Sequence, residues 1–193
     1  MFPRIVLAST SPWRLAMLRD AGIACEGVAP TVDEATIADP DPARLAELRA
    51  VAKARSIAGD CVVGADQVAH LDGVAFGKPL GPEDHRTRLR QLRGRAHVLT
   101  TGVCVRLHGV EHVFREHTSL HFRADVTDAE IAAYVDTREG SGCAGGYAAE
   151  GMGAQLIERI DGDFFNVIGL PLLRLIGTLR ALGWRPHFPA RAG

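Results

Sequence analysis

Acidic side chains follow two short apolar segments of this chain and are the first candidates for chemistry. Asp66 ends the segment at residues 61–66, at the position where open α/β sheets place functional groups, and Asp33 and Glu34 follow a second segment. A buried acid at the end of a strand needs a partner to stay charged. Carboxylate oxygens suit Mg²⁺, so these acids are candidate metal ligands. A solvated turn is the alternative for Asp33 and Glu34.

The front of the chain, residues 7–14, predicts an anion-binding turn. A strand at residues 4–8 leads into small hydroxylated residues, and Pro12 marks the first turn of a helix that runs to residue 21. Backbone N–H groups and the helix dipole converge at such a turn. Ser9 adds a hydroxyl, and Arg14 adds a guanidinium that fits phosphate oxygens. The alternative is an ordinary capped helix with a solvated arginine.

Lysine is rare in this chain, which draws attention to Lys53 and Lys78, the two that occur. Either could be ordinary, Lys53 on a helix surface and Lys78 in the turn before Pro79. Together, however, acids for a metal and cations for phosphate are what phosphoryl chemistry requires, because its catalysis consists mainly of positioning and charge neutralisation.

Length and composition restrict the other functional classes. The chain has 193 residues and a formal net charge of −1, which suits one domain or two closely packed lobes and lacks the basic character of a nucleic-acid binder. No segment has the length of a membrane span or the character of a signal peptide, so we expect a cytoplasmic protein with no membrane partner. The four cysteines are widely spaced and predict neither a zinc site nor a disulfide framework.

Histidines spaced by four, His108 with His112 and His117 with His121, could suggest a metal site. That spacing aligns ligands on a helix, but this region has the pattern of strands, in which the two members of a pair are about 13 Å apart. We therefore expect structural or solvated histidines.

The alternation of strand and helix patterns predicts an α/β fold. The Gly-rich segment 139–153 predicts a binding loop, and the residues from Pro186 onward predict a loose tail. After the first strand and helix, the predicted elements are strands at 61–66, 96–107, 110–122 and 154–160, a hairpin at 68–77, and helices at 42–58, 82–92, 128–137 and 170–182.

Segments from nearly the whole chain, in order, resemble the Maf family of nucleoside triphosphate pyrophosphatases. The segments that carry the resemblance are LASTSPWR at 7–14, VDE at 32–34, AKA at 52–54, ADQV at 65–68, GKPL at 77–80, CAGG at 143–146, EG at 150–151 and GLPL at 169–172.

The resemblance implies a fold and a reaction. The fold would be an elongated mixed β-sheet with flanking helices, two lobes around a central cleft, similar to the inosine triphosphate pyrophosphatases, with residues 1–193 forming one such domain. The reaction would be hydrolysis of the α–β phosphoanhydride to a nucleoside monophosphate and pyrophosphate, with a divalent metal, Mg²⁺ or Mn²⁺. A homodimer is also implied.

The resemblance also implies roles for individual residues. Glu34 and Asp66 would lie at the metal and the attacking water, with Asp66 as the proton acceptor. Four residues would bind or neutralise the phosphates: Ser9 and Arg14 as binding residues, and Lys53 and Lys78 as cations.

Trp13, Gln67 and Glu150 resemble the subgroup that hydrolyses 7-methyl-GTP, whereas many relatives have Arg, Thr and Gln there and resemble dTTP/UTP pyrophosphatases. Methylation at N7 makes guanine cationic, and a Trp face attracts a cation. A carboxylate can accept from the N1–H and the exocyclic amine of guanine together. We therefore expect 7-methyl-GTP as the substrate. The alternatives are a dTTP/UTP pyrophosphatase of the same family, and a nucleotide-responsive regulator of septum formation or cell division.

Overall fold

A mixed seven-stranded sheet is the centre of the computed structural model, which describes residues 1–188. The strand order is β2-β1-β3-β5-β6-β7, with β4 paired to β3. β1 runs parallel to β2 and β3, and the remaining pairs are antiparallel. The strands are β1 Ile5–Ala8, β2 Cys25–Val28, β3 Cys61–Leu71, β4 Val74–Phe76, β5 Ala96–Leu107, β6 Val110–Phe122 and β7 Ile157–Asp161.

Helices cover both faces of the sheet. Local sequence explains where they start: Ser11 and Asp41 cap the first two, each followed by a proline at the first helical position, and Thr127 and Glu130 form a reciprocal capping box. Within residues 1–188, none of the helices has both the length and the apolar character needed to cross a membrane. The helices are α1 Pro12–Asp20, α2 Pro42–Arg55, α3 Pro82–Leu92, α4 Asp128–Asp136, α5 Phe164–Ile168 and α6 Leu172–Ala181.

Successive residues of β3 alternate between two cores. Val62 packs with Ala54 of α2 on one face, whereas Val63 packs with Leu18 of α1 and Leu175 of α6 on the other. A third core lies between the far end of the sheet, α3 and α4. The alternation of a strand therefore decides which layer each side chain of β3 meets, and this includes the polar residues that follow.

Gly64 brings α2 unusually close to the sheet. A Cβ at this position would lie 2.2 Å from the Ala50 carbonyl oxygen and 2.7 Å from the Ala54 nitrogen, so no larger residue fits without moving α2. The backbone of α2 is thereby fixed against β3 close to Asp66.

The predicted α/β class and mixed sheet are confirmed, and the predicted strands at 96–107 and 110–122 match β5 and β6. The strand predicted at 154–160 is wrong in its first part, because Met152–Leu156 forms a 3₁₀ turn and β7 begins only afterwards. The helix predicted at 42–58 ends at Arg55. The strand predicted to end at Asp66 is wrong in its end, because hydrogen bonding to β5 continues to His70 and β3 runs to Leu71, so Asp66 lies within the strand. Helix α5 was not predicted, because its five residues are too short for a helical pattern. Of the tail expected from Pro186, residues 189–193 lie outside the described residues.

Candidate active site

A gap in the sheet creates a cavity beside β3. β1 pairs with β3 only as far as Gly64, and β4 pairs with β3 only from Ala69 onward. Within residues 1–188, the intervening residues 65–68 therefore have no strand neighbour on this edge. A cavity of about 660 Å³ opens here, and side chains from both faces of β3 reach it.

All nine site residues predicted from the sequence line this one cavity. They are far apart in the sequence and come from the β1–α1 turn, the first turn of α1, the segment before α2, α2 itself, β3, the β4–α3 loop and the Gly-rich segment. The nine are Ser9, Trp13, Arg14, Glu34, Lys53, Asp66, Gln67, Lys78 and Glu150.

Lys53 lies between two carboxylates. Its Nζ is 2.6 Å from Asp66 Oδ1 and 2.9 Å from Glu34 Oε1. The side chains of Lys53 and Asp66 are about nine-tenths buried, whereas that of Glu34 is 45% exposed at the cavity mouth. A buried charge needs such a partner, because desolvation otherwise favours its neutral form.

The neighbouring acids Asp33 and Glu34 have different roles. Asp33 Oδ1 accepts from the Ala35 N–H at 3.0 Å and caps a single 3₁₀ turn, Glu34–Thr36. That turn directs Glu34 toward Lys53. Partial burial raises the pKa of Glu34, but the hydrogen bond and charge of Lys53 outweigh it, and the net pKa is lowered. Glu34 is therefore held as a carboxylate.

The carboxylates fit a divalent cation. Asp66 Oδ2 is buried and has no hydrogen-bond partner among residues 1–188, so one oxygen of the pair is available as a ligand. No group of three or more His, Cys, Asp or Glu side chains in the described part of the chain is arranged to hold a metal. Two carboxylates suffice for Mg²⁺, which commonly takes its other oxygens from water and substrate phosphates.

Ser9 and Arg14 lie at the start of α1, and both also serve the fold. Ser9 Oγ accepts from the Ser11 N–H at 3.1 Å. Arg14 Nε donates to the Gly169 carbonyl at 2.7 Å, and its NH1 donates to the Ala65 carbonyl at 2.8 Å, on the open edge of β3. Arg14 therefore joins β3 to the end of α5, and its remaining N–H groups are those that could reach a ligand.

Gln67 faces the opposite side of β3 from Asp66, as its neighbouring position predicts. Its Nε2 donates to the Asn166 carbonyl at 2.6 Å and to Thr101 Oγ1 at 3.1 Å. Both amide hydrogens therefore have acceptors in the protein. This leaves the Gln67 Oε1 oxygen as the atom able to bind a ligand, and it can only accept.

The Gly-rich segment folds back on itself, and Glu139 holds its two ends together. The Glu139 carboxylate accepts from the N–H groups of Met152 and Gly153, each at 2.9 Å. Tyr134 Oη accepts from the Ala148 N–H at 3.0 Å. Glu150 lies between these anchors and lines the cavity. The segment is thus a shaped loop rather than a flexible connection.

Several residues that line or support the cavity were not predicted from the sequence. Arg49 lines the cavity from α2, one helical turn before Lys53. The sequence does not distinguish it from the other arginines of this helix. Tyr147 lines it from the Gly-rich segment, with its hydroxyl 2.6 Å from His97 Nε2 in a buried contact. Neither local spacing nor composition brings His97 and Tyr147 together, since they meet only through the tertiary fold.

The histidines of the second pair, His117 and His121, have contacts of their own. His121 Nε2 lies 2.8 Å from Asp161 Oδ2, and His117 Nδ1 lies 2.8 Å from Thr100 Oγ1. These contacts place both side chains in networks on the sheet, away from the cavity.

Fold and site together define a class: an α/β protein with a cavity in which a buried and a half-exposed carboxylate meet several cations, an arrangement suited to a phosphorylated ligand. A family model described as "Maf-like protein" matches residues 4–182, and the chain belongs to this family.

Curated relatives cover almost the full chain. A protein named "dTTP/UTP pyrophosphatase" from Thermus thermophilus is 41% identical over 184 residues, 95% of this chain and 97% of its own length. A "Nucleoside triphosphate pyrophosphatase" from Streptomyces coelicolor is 44% identical, covering 93% of this chain and 91% of its own length. A "dTTP/UTP pyrophosphatase" from Symbiobacterium thermophilum is 38% identical, covering 98% and 99% respectively.

Proposed function

We propose that this protein is a nucleoside triphosphate pyrophosphatase that hydrolyses 7-methyl-GTP to 7-methyl-GMP and pyrophosphate. The observation that carries the reaction is the contact of Lys53 with both Asp66 and Glu34 inside a cavity lined by further cations. The names of the relatives support the same reaction class.

The chemistry follows from the charges. The oxygen of a water molecule forms a bond to one of the two phosphorus atoms of the α–β phosphoanhydride. The bond from that phosphorus to the bridging oxygen breaks, and the nucleoside monophosphate and pyrophosphate separate. Asp66 accepts the proton of the water at Oδ2, the oxygen that Lys53 does not occupy. Lys53 and Lys78 neutralise charge on the phosphates. Asp66 and Glu34 would hold a divalent cation, which would supply further charge neutralisation when bound.

The base specificity rests on three residues that share the cavity. Trp13 is 45% exposed and lines the cavity, and an accessible indole attracts a ring that carries a positive charge. Glu150 supplies a carboxylate for the N–H groups of guanine. Gln67 presents only an acceptor, because both of its amide hydrogens are bound by the protein. A cationic purine with several donors fits this set.

The second candidate is a dTTP/UTP pyrophosphatase, and what favours it is the name of two similar relatives. It keeps the same catalytic residues and changes only the base. A nucleotide-responsive regulator of division is the remaining alternative, and the complete set of acids and cations argues against it.

Pyrophosphate release with Mg²⁺ from 7-methyl-GTP, GTP, dTTP and UTP, measured side by side, tests these proposals. A kcat/KM highest for 7-methyl-GTP supports the full proposal. Preference for dTTP or UTP replaces the substrate and keeps the reaction. Binding without release from any of the four would favour the regulator.

A further inference from the structure

Arg49 is a cation of the cavity that the reaction as described does not use. It lies on α2 four residues before Lys53, so both side chains project from the same face of the helix. It lines the same cavity as Asp66, Glu34 and Lys53. Its side chain is 25% exposed, which makes it a largely buried charge.

The protein leaves most of the Arg49 guanidinium without a partner. Nε is buried and has no hydrogen-bond partner among residues 1–188. NH2 makes one long bond, 3.4 Å, to the Ile37 carbonyl. NH1 lies 4.0 Å from Asp66 Oδ2, beyond hydrogen-bond distance. A guanidinium carries five N–H donors, and burying them unpaired is unfavourable.

Arg14, another arginine that lines the cavity, is held by the fold through short hydrogen bonds, unlike Arg49. Arg14 donates to the Gly169 and Ala65 carbonyls at 2.7 and 2.8 Å. Arg49 has no comparable bonds within residues 1–188, so packing alone does not account for its position. Its side chain lines the cavity, where a nucleotide would bring an anionic phosphate chain.

We infer that Arg49 is a further substrate-binding residue, whose guanidinium binds the phosphate chain of the nucleotide beside the Asp66–Glu34 pair; this inference rests on the proposed function. A guanidinium donates to two phosphate oxygens at once in a fixed planar fork, which a lysine at the same position cannot reproduce. Arg49 and Lys53 then present two cations to the leaving pyrophosphate from consecutive turns of α2.

The test is calorimetric titration of the purified protein with inorganic pyrophosphate in excess Mg²⁺, a readout that does not depend on turnover. Three variants are compared with the wild type: Arg49→Met, Arg49→Lys, and Arg44→Met as the matched control. Arg44 is on the same helix but pairs with Glu47 at 2.6 Å, and its side chain is 51% exposed.

We expect Arg49→Met to weaken pyrophosphate binding by about tenfold or more, Arg49→Lys to weaken it less, and Arg44→Met to match the wild type. In parallel, KM for the nucleotide should rise more than kcat falls in Arg49→Met. Wild-type affinity in Arg49→Met would overturn the inference, as would a loss of unfolding free energy with no change in affinity, since that describes an ion pair with Asp66 only. Failure of the wild type to bind pyrophosphate would also overturn it.

The two proposals can fail separately. Suppose that the wild type binds pyrophosphate but releases none from any nucleotide, and that Arg49→Met binds pyrophosphate more weakly. The proposed function then fails and the anion site stands. If the wild type hydrolyses nucleotides and Arg49→Met matches it in affinity and KM, the role of Arg49 alone is wrong.

Discussion

Lys53 Nζ lies 2.6 Å from Asp66 Oδ1, and both side chains are buried in the floor of the cavity. The contact joins α2 to β3 at the point where the sheet opens. It leaves Asp66 Oδ2 without a hydrogen bond among residues 1–188, next to the space a substrate would occupy. One oxygen of Asp66 is therefore structural, and the other is available for chemistry.

Asp66→Asn should abolish hydrolysis and preserve the fold. The amide oxygen of the asparagine can still accept a hydrogen bond from Lys53. The Glu34 carboxylate, 2.9 Å from the Lys53 ammonium, still balances the charge of Lys53. The lost base should lower kcat by about 100- to 10,000-fold. Pyrophosphate release, with circular dichroism and a thermal melt as controls for folding, checks this. Substantial residual turnover would remove Asp66 from the role of proton acceptor.

Trp13→Arg combined with Glu150→Gln should reduce the preference for 7-methyl-GTP over UTP more than it reduces turnover of UTP. The cation–π contact and the charged hydrogen bonds together predict a change of about tenfold or more in the ratio of kcat/KM values. Glu158→Gln is the control, because Glu158 is an exposed carboxylate on β7 that does not line the cavity. An equal loss on both nucleotides would contradict this account of selection.

Much of the fold and of the candidate site could be predicted because the signals lie in short segments. The turn at residues 108–109 marks the ribbon of β5 and β6, the capping residues mark α1, α2 and α4, and the segments that resemble the Maf family contain all nine proposed site residues. The expected homodimer and cytoplasmic location stay predictions.

What local patterns could not supply is the gap in the sheet. The early end of β1 and the late start of β4 depend on how strands pair across the chain, and this gap lets Asp66 and Gln67, on opposite faces of β3, share one cavity. Arg49 was missed for the same reason. Its spacing from Lys53 is visible in the sequence, but the unpaired state of its guanidinium among residues 1–188 is visible only in three dimensions.

Glu139→Ala should raise KM for the nucleotide with a smaller effect on kcat. The Glu139 carboxylate accepts from the N–H groups of Met152 and Gly153, and these bonds outweigh the effect of burial, so that the pKa of Glu139 is lowered. Without this carboxylate, the loop that presents Glu150 loses an anchor, and the free energy of unfolding should fall by about 1–3 kcal/mol. Steady-state kinetics and urea denaturation measure the two effects. Glu139→Gln keeps an acceptor and should recover part of both; if it recovers neither, charge rather than hydrogen bonding is responsible.

His97 should make the protein less stable as the pH falls below 6.5. Burial, together with the charge of the nearby His70, lowers the pKa of His97 from 6.5 to about 4. The unfolded chain therefore binds the proton first, and the free energy of unfolding falls between pH 6.5 and 4. The loss attributable to His97 is on the order of 2 kcal/mol at pH 5 relative to pH 7.5.

Urea denaturation of the wild type and His97→Gln at pH 7.5 and pH 5 measures this dependence. The variant keeps a polar partner for the Tyr147 hydroxyl, which lies 2.6 Å from His97 Nε2, and should lose about that much of the pH dependence. His70→Gln measures the separate contribution of His70, whose pKa is also lowered by burial. An unchanged pH slope in His97→Gln would mean that other groups titrate in this window.

Gly64→Ala should impair both stability and activity, because α2 can lie this close to β3 only while residue 64 has no Cβ atom. The new methyl group would lie 2.2 Å from the Ala50 carbonyl oxygen, a backbone atom that cannot rotate away. The helix must shift, and Lys53 and Arg49 must shift with it. We expect a loss of about 1–3 kcal/mol in the free energy of unfolding and a fall in kcat/KM that exceeds what the unfolded fraction explains.

Gly177→Ala is the matched control for this substitution. Gly177 lies within α6, and a Cβ added there would meet no other atom within 4 Å, so alanine should slightly stabilise the helix. Urea denaturation and steady-state kinetics of the two variants, measured together, separate the effect of the close approach from that of an added methyl group. Wild-type stability of Gly64→Ala would show that α2 can move away from β3 easily, and the short distance between Lys53 and Asp66 would then need another explanation.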